Sequence, residues 1–191
     1  MLSHEILTEA LTSLRELLAD RGVSSELVVI GGGGLLLQGV LTRTTADLDV
    51  VARVEGGKLA TAEPLPTPLV DAAAEVARLY RLPETWLNSG PTDLLTFGLP
   101  EGFADRQETR RFGGLTLRLA GRLDQIAFKL YAAVDQGPRS KHVRDLQEMS
   151  PTREELQFAA RWSLTHDTSP DFRDQLEQAL AFLGEAEIEL D

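Results

Sequence analysis

Leu27-Val28-Val29-Ile30-Gly31-Gly32-Gly33-Gly34-Leu35-Leu36-Leu37-Gln38-Gly39-Val40-Leu41, continued through Thr42-Arg43-Thr44-Thr45-Ala46 into Asp47-Leu48-Asp49-Val50-Val51, is the stretch whose reading decides the fold. Leu27 to Ile30 is an apolar, β-branched run of strand type. Gly31 to Gly34 interrupt it where the backbone needs positive φ or close approach to a ligand. Leu35 to Leu41 then predicts about two turns of helix, whose N-terminal N–H groups and dipole face back toward the glycines. Such an end seats a phosphate. The chain returns as a strand from Asp47, and a period of two places Asp47 and Asp49 on one face with Leu48 and Val50 on the other. Two carboxylates held side by side repel unless a cation lies between them. With oxygen ligands only, a hard cation such as Mg²⁺ or Mn²⁺ is expected, its coordination completed by water and substrate phosphate.

A glycine turn, a short helix and Asp-x-Asp together resemble the signature of the polymerase-β-like nucleotidyltransferase superfamily. More narrowly, Gly31-Gly32 followed by Gly39, Arg43, Thr45 and Asp47-Leu48-Asp49 resembles the AbiEii and MenT-type toxin nucleotidyltransferases. Competing glycine motifs fail. A dinucleotide turn begun at Gly31-x-Gly33 should close on glycine and has Leu36, and a P-loop begun at Gly34 and reaching Gly39 should continue Lys-Ser/Thr and has Val40-Leu41.

At 191 residues with 42% apolar content, the chain can bury a substantial core. The absence of cysteine excludes a disulfide framework and thiolate metal sites, and fits a cytoplasmic protein. No apolar run has the length of a membrane span, so no membrane partner is expected, and the N-terminus lacks the pattern of a secretion signal. The net charge of −11 opposes any polyanionic partner unless basic side chains gather locally.

Leu7, Leu11, Leu14 and Leu18 predict an amphipathic helix over Ser3 to Asp20, ending at Arg21-Gly22. Pro68 to Leu82 reads as a helix with Leu69, Ala73, Val76 and Leu79 on one face. Between Pro83 and Pro91, Trp86 reads as core and Asn88 as a turn residue, in a segment that also resembles the toxin-like relatives. Asp93 to Leu99 and Leu115 to Leu119 have strand composition. Glu101 to Gly114, with Arg106, Arg110 and Arg111 among acids and glycines, reads as a solvated loop. Helices are predicted over Gly121 to Gln136, Lys141 to Met149, Thr152 to Leu164 and Pro170 to Leu183, and Glu185 to Asp191 reads as a frayed acidic end.

Within Ile126 to Val134 only Lys129 carries a charge, and burying it alone is costly. Its stem must snorkel to solvent, or its ammonium must meet a phosphate or a carboxylate. The relatives carry an Asp-x-x-x-x-Lys-Leu pattern that Asp124, Lys129 and Leu130 match, which implies a triphosphate-binding role for Lys129. Their next motif, Lys-Asp-x-x-Asp-Leu, corresponds to Lys141-His142-Val143-Arg144-Asp145-Leu146, so Asp145 inherits the acidic role as metal ligand or general base. His142 departs from that pattern. Arg43, four residues before Asp47, can reach a phosphate or pair with a nearby acid.

The expectation is an α+β nucleotidyltransferase fold, a small mixed β-sheet flanked by helices, over residues 1–120, followed by a C-terminal helical subdomain over 121–191 with a cleft between. Asp47 and Asp49 are the candidate metal ligands. With Lys129 and Asp145 they are the candidate catalytic residues, and Gly31, Gly32, Gly33, Arg43, Thr45 and Lys129 the nucleotide-binding ones. The implied substrate is an NTP and the cofactor Mg²⁺ or Mn²⁺. The resemblance implies a tRNA 3′ end as acceptor and a cognate antitoxin as partner, while the charge leaves a small molecule or a protein hydroxyl open. The alternative is a non-catalytic nucleotide- or protein-binding module on the same fold.

Overall fold

The computed structural model describes residues 1–188 and residue 190. The chain divides into two compact units, residues 1–99 with 107–120 and residues 100–106 with 121–191.

The first unit opens with α1 (His4–Asp20), capped by the Ser3 side chain, which accepts from the Ile6 N–H. Its buried stripe is Leu7, Leu11, Leu14 and Leu18, as the spacing predicts. Each such side chain stabilises the fold by about 1.5–3 kcal/mol. Strand β1 (Ser25–Ile30) runs into α2 (Gly31–Leu37), then come β2 (Leu48–Glu55), β3 (Lys58–Thr61) and α3 (Thr67–Tyr80). The two-residue β4 (Leu87–Asn88), a 3-10 turn over Gly90–Thr92 and α4 (Asp93–Phe97) follow, and β5 (Glu108–Phe112) and β6 (Leu115–Leu119) finish the sheet. The strand order is β3-β2-β1-β6-β5, with β4 pairing β2 off that path. Pairing is antiparallel for β1–β2, β2–β3 and β5–β6 and parallel for β1–β6 and β2–β4, so the sheet is mixed. This is the expected α+β architecture. Its core joins α1 and α3 to the sheet through residues such as Leu14, Leu27, Val50, Val76, Trp86 and Leu117.

Five local expectations change. The helix after β1 starts at Gly31 rather than Leu35, because burial of Gly32 to Leu37 outweighs the poor helix propensity of glycine. Strand β2 starts at Leu48, so Asp47 leads into the strand instead of lying in it. Residues 93–97 are helical, not a strand. The Gly90-Pro91 turn feeds directly into Asp93, Gly98 at φ 114° stops the helix, and the strand composition of Leu94 to Phe97 yields to that context. The segment read as a solvated loop contains β5, an exposed edge strand turned onto β6 by Gly113-Gly114. Leu79 is 69% exposed, the α3 stripe being Leu69, Ala72, Ala73, Val76 and Ala77.

The second unit contains α5 (Arg122–Gln136), α6 (Lys141–Met149), α7 (Arg153–Leu164) and α8 (Pro170–Phe182). Ser140, Thr152 and Ser169 cap α6, α7 and α8, with a full capping box between Thr152 and Glu155. Phe103, Phe128, Trp162, Tyr131 and Phe172 form a chain of edge and tilted ring contacts. The tail expected to fray is tied in part. The Glu187 and Leu190 carbonyls accept from Arg153 and Arg173, each at 2.5 Å, and Ile188 is buried, while Glu189 and Asp191 lie outside the described residues. Among the described residues no helix is long and apolar enough to cross a membrane.

Candidate functional site

Register builds the first part of the site. Antiparallel pairing places Asp49 opposite Ile30, the last residue of β1, so the chain turning into α2 passes beside the Asp49 side chain. A Cβ on Gly31, which has φ 75°, would lie 2.6 Å from Asp49 Oδ2. On Gly32 it would meet the Thr45 hydroxyl at 2.8 Å, and on Gly33 the Asp47 carbonyl at 2.8 Å and Leu48 Cδ1 at 2.7 Å. The glycines therefore let α2 lie directly on residues 45–49, most strictly at Gly33, where the nearby Asp47 carbonyl is backbone. Paired backbone hydrogen bonds between Leu2 and Thr45, of 2.7 and 2.9 Å, hold the far side of that segment. Thr45 is buried, and Arg43 is half-buried with Nη1 donating to the Thr44 carbonyl.

Asp47 and Asp49 are both half-buried. Asp49 Oδ1 accepts from Asn88 Nδ2 at 3.1 Å, a contact for which the sequence offered no sign beyond the segment's resemblance. Asp47 borders a cavity of about 510 Å³ that Asn88 also lines, together with Glu63, Glu84, Leu65 and Leu87. Among the described residues no lysine, arginine or histidine lines it. Among the described residues no group of three or more His, Cys, Asp or Glu side chains forms a metal cage. Two carboxylates fit a cation that takes most of its ligands from water and phosphate, as Mg²⁺ does.

The remaining candidates belong to the helical unit. Lys129 on α5 is 3% exposed and Asp145 on α6 fully buried, with Lys129 Nζ 2.6 Å from Asp145 Oδ2. Of the expected ways to accommodate the buried ammonium, the structure uses a carboxylate. Asp124, part of the same sequence pattern, is also fully buried and is held by Arg106 through Nε at 3.1 Å and Nη2 at 2.5 Å. Burial pushes the Asp124 carboxyl up from its ordinary value while Arg106 pulls it back, so the carboxylate depends on the guanidinium for its charge. Arg106, read in sequence as part of a solvated loop, is thus a structural partner. Arg110 pairs with Glu108 on the exposed edge strand. His142 is half-buried on α6, and Arg139, Lys141 and Arg144 are exposed.

A family profile described as a nucleotidyltransferase of unknown function (DUF6036) matches residues 5–149. The chain belongs to this family. The match takes in the glycine row, Asp47, Asp49, Asn88, Lys129 and Asp145, and ends with α6. No curated protein and no solved structure matches the chain.

Proposed function

We propose that this protein transfers a nucleotidyl group from an NTP to an acceptor hydroxyl in a reaction that requires Mg²⁺ or Mn²⁺. The observation that carries the reading is the packing of Gly31 to Gly33 on residues 45–49, which sets Asp49 beside the first turn of α2 and Asp47 at the lip of a cavity. Asp47 and Asp49 would hold the cation, which when bound draws charge from the triphosphate and favours in-line displacement of pyrophosphate. The N–H groups of Gly31 to Gly33 and the Arg43 guanidinium are the candidate phosphate donors. Lys129 and Asp145 enter through the resemblance, as phosphate neutraliser and as metal ligand or acceptor-activating acid.

In its finer form the proposal takes a tRNA 3′ end as acceptor and places the protein as the toxin of a toxin–antitoxin pair, which the motif resemblance supports. A second acceptor class is favoured by the cavity. Its acids, Asp47, Glu63 and Glu84, stand without a basic lining residue and suit a neutral or amine-bearing small molecule better than a polyanion.

The test incubates the protein with each labelled NTP, Mg²⁺ and separate RNA, protein and small-molecule fractions, with Asp49→Asn in parallel. Label in RNA, abolished by Asp49→Asn and by charge reversal of Arg139, Lys141 and Arg144, supports the tRNA form. Label in the small-molecule fraction supports the second class. Mg-NTP binding without label in any fraction supports the non-catalytic module and overturns the proposal.

A further inference from the structure

Asn88 donates to Asp49, one of the two candidate carboxylates, and has no part in the reading above. Its strand, β4, pairs β2 in parallel so that Asn88 stands opposite Asp49. That short strand is anchored firmly for its length. Trp86 is fully buried, its indole N–H donates to the Ala73 carbonyl at 2.9 Å, and its own carbonyl accepts from the Leu48 N–H at 2.6 Å. Beyond Asn88, the Ser89 hydroxyl is hydrogen-bonded to Glu63.

The orientation of the Asn88 amide follows from its other end. The Gly90 N–H donates to Asn88 Oδ1 at 2.9 Å, closing a turn in which a Cβ on Gly90 would lie 3.0 Å from that oxygen. A backbone N–H can only donate, so the oxygen of the amide must face Gly90 and the NH₂ must face Asp49. The amide is locked in one direction, and its N–H occupies a lone pair of Asp49 Oδ1 at 3.1 Å. A carboxylate held in this way loses rotation about its last bond, so its remaining lone pairs keep a fixed aim. Asn88 also lines the cavity that Asp47 borders. An amide at this place lends a donor without adding charge, whereas the nearly isosteric aspartate would set a third negative group beside Asp49.

The geometry points to Asn88 as a positioning residue, one that fixes the Asp49 carboxylate for a divalent cation without adding to the negative charge of Asp47 and Asp49. This rests on the nucleotidyltransferase reading of Asp47 and Asp49.

Mn²⁺ binding to the full chain without nucleotide, followed by the loss of the free-ion electron paramagnetic resonance signal, provides the test, with thermal midpoints measured with and without Mn²⁺. Asn88→Ala should weaken Mn²⁺ binding by about 10-fold or more, the range for loss of a group that orients a ligand. Asn88→Asp keeps an acceptor for the Gly90 N–H. It should bind Mn²⁺ several-fold more tightly than wild type and melt lower without metal, with Mn²⁺ restoring the midpoint. A merely structural Asn88 would lower the midpoints of both variants equally with and without Mn²⁺ and leave the affinity within about twofold, which overturns the inference. Should Asn88→Ala fail to fold, the Asn88→Asp arm decides alone. Wild type and Asp49→Asn binding Mn²⁺ equally weakly would sink the metal reading itself, a result distinct from unchanged binding in the Asn88 variants.

Discussion

Replacing Lys129 by methionine keeps the length of the side chain and removes its charge, leaving Asp145 as a carboxylate inside the helical unit. In the native pair the Lys129 and Asp145 side chains are 4% and 0% exposed and 2.6 Å apart. Losing one member of a buried pair costs about 3–5 kcal/mol, chiefly because the survivor remains charged and out of water. For a chain of this size each kcal/mol moves the thermal midpoint by about 2–4 °C, so Lys129→Met should melt roughly 6–20 °C below wild type. Lys129→Met/Asp145→Leu removes both charges, and because hydrophobic replacement of a whole buried pair is often neutral, it should recover most of that loss. Calorimetry and urea titration of the full chain measure both quantities. A single variant melting within about 2 °C of wild type, or a double variant no more stable than the single, would refute the reasoning. The folded double variant also isolates chemistry from stability. If it binds Mg-NTP as wild type does, Lys129 has no role at the triphosphate.

Asp47→Asn and Asp49→Asn should each abolish Mg²⁺-dependent NTP binding at little cost in stability, as titration calorimetry and a melting curve would register; unchanged affinity in either removes that residue from the site. Gly33→Ala drives a methyl into the Asp47 carbonyl and Leu48, so α2 must lift from β2, and NTP affinity should fall more than for Gly39→Ala, where the φ of 71° is strained but a Cβ meets nothing within 4 Å. In Arg106→Met the buried Asp124 loses the guanidinium, the strongest of the groups that pull its proton affinity down. A carboxyl whose folded value is raised binds its proton more tightly in the folded state, so this variant should be most stable below the ordinary aspartate value and lose stability as pH rises through the raised one; a flat difference from wild type across that range would contradict it. Arg122 holds Glu155 below its ordinary value, which gives the opposite slope. That pair contributes above the ordinary glutamate value and is lost as pH falls through the lowered one, so Glu155→Gln should flatten the acid limb of the stability profile.

Sequence alone made α1 and the four C-terminal helices legible because their information is local, as in the four leucines of α1. The strand through Leu48 to Val51 was legible for the same reason, although Asp47 falls just before it. Where the outcome depends on context outside the segment itself, the reading failed. Leu94 to Phe97 carries strand composition but is wound into a helix by the turn before it and Gly98 after it. Lys129 and Asp145 were each noticed, yet their meeting is a fact of how α5 and α6 pack. The contact between Asn88 and Asp49 spans 39 positions, and no local pattern distinguishes an asparagine that merely closes a turn from one that also holds a carboxylate. The glycines were read for the phosphate they could admit, whereas their Cβ positions are already claimed by Asp49, Thr45 and Asp47.

The path of the chain has a consequence for anyone who would dissect the protein. It enters the helical unit at Pro100, leaves it at Gln107 and returns at Gly121. A fragment ending at Ala120 would keep Phe103 and Arg106 but lose Phe128 and Asp124, and the complementary fragment would keep a fully buried Asp124 without its guanidinium. Neither half made by that single cut is self-sufficient, though the two mixed together could reassociate through the severed ion pair. During synthesis the same arrangement brings Arg106 out of the ribosome while Asp124 is still inside it, so the helical unit cannot close until α5 has emerged.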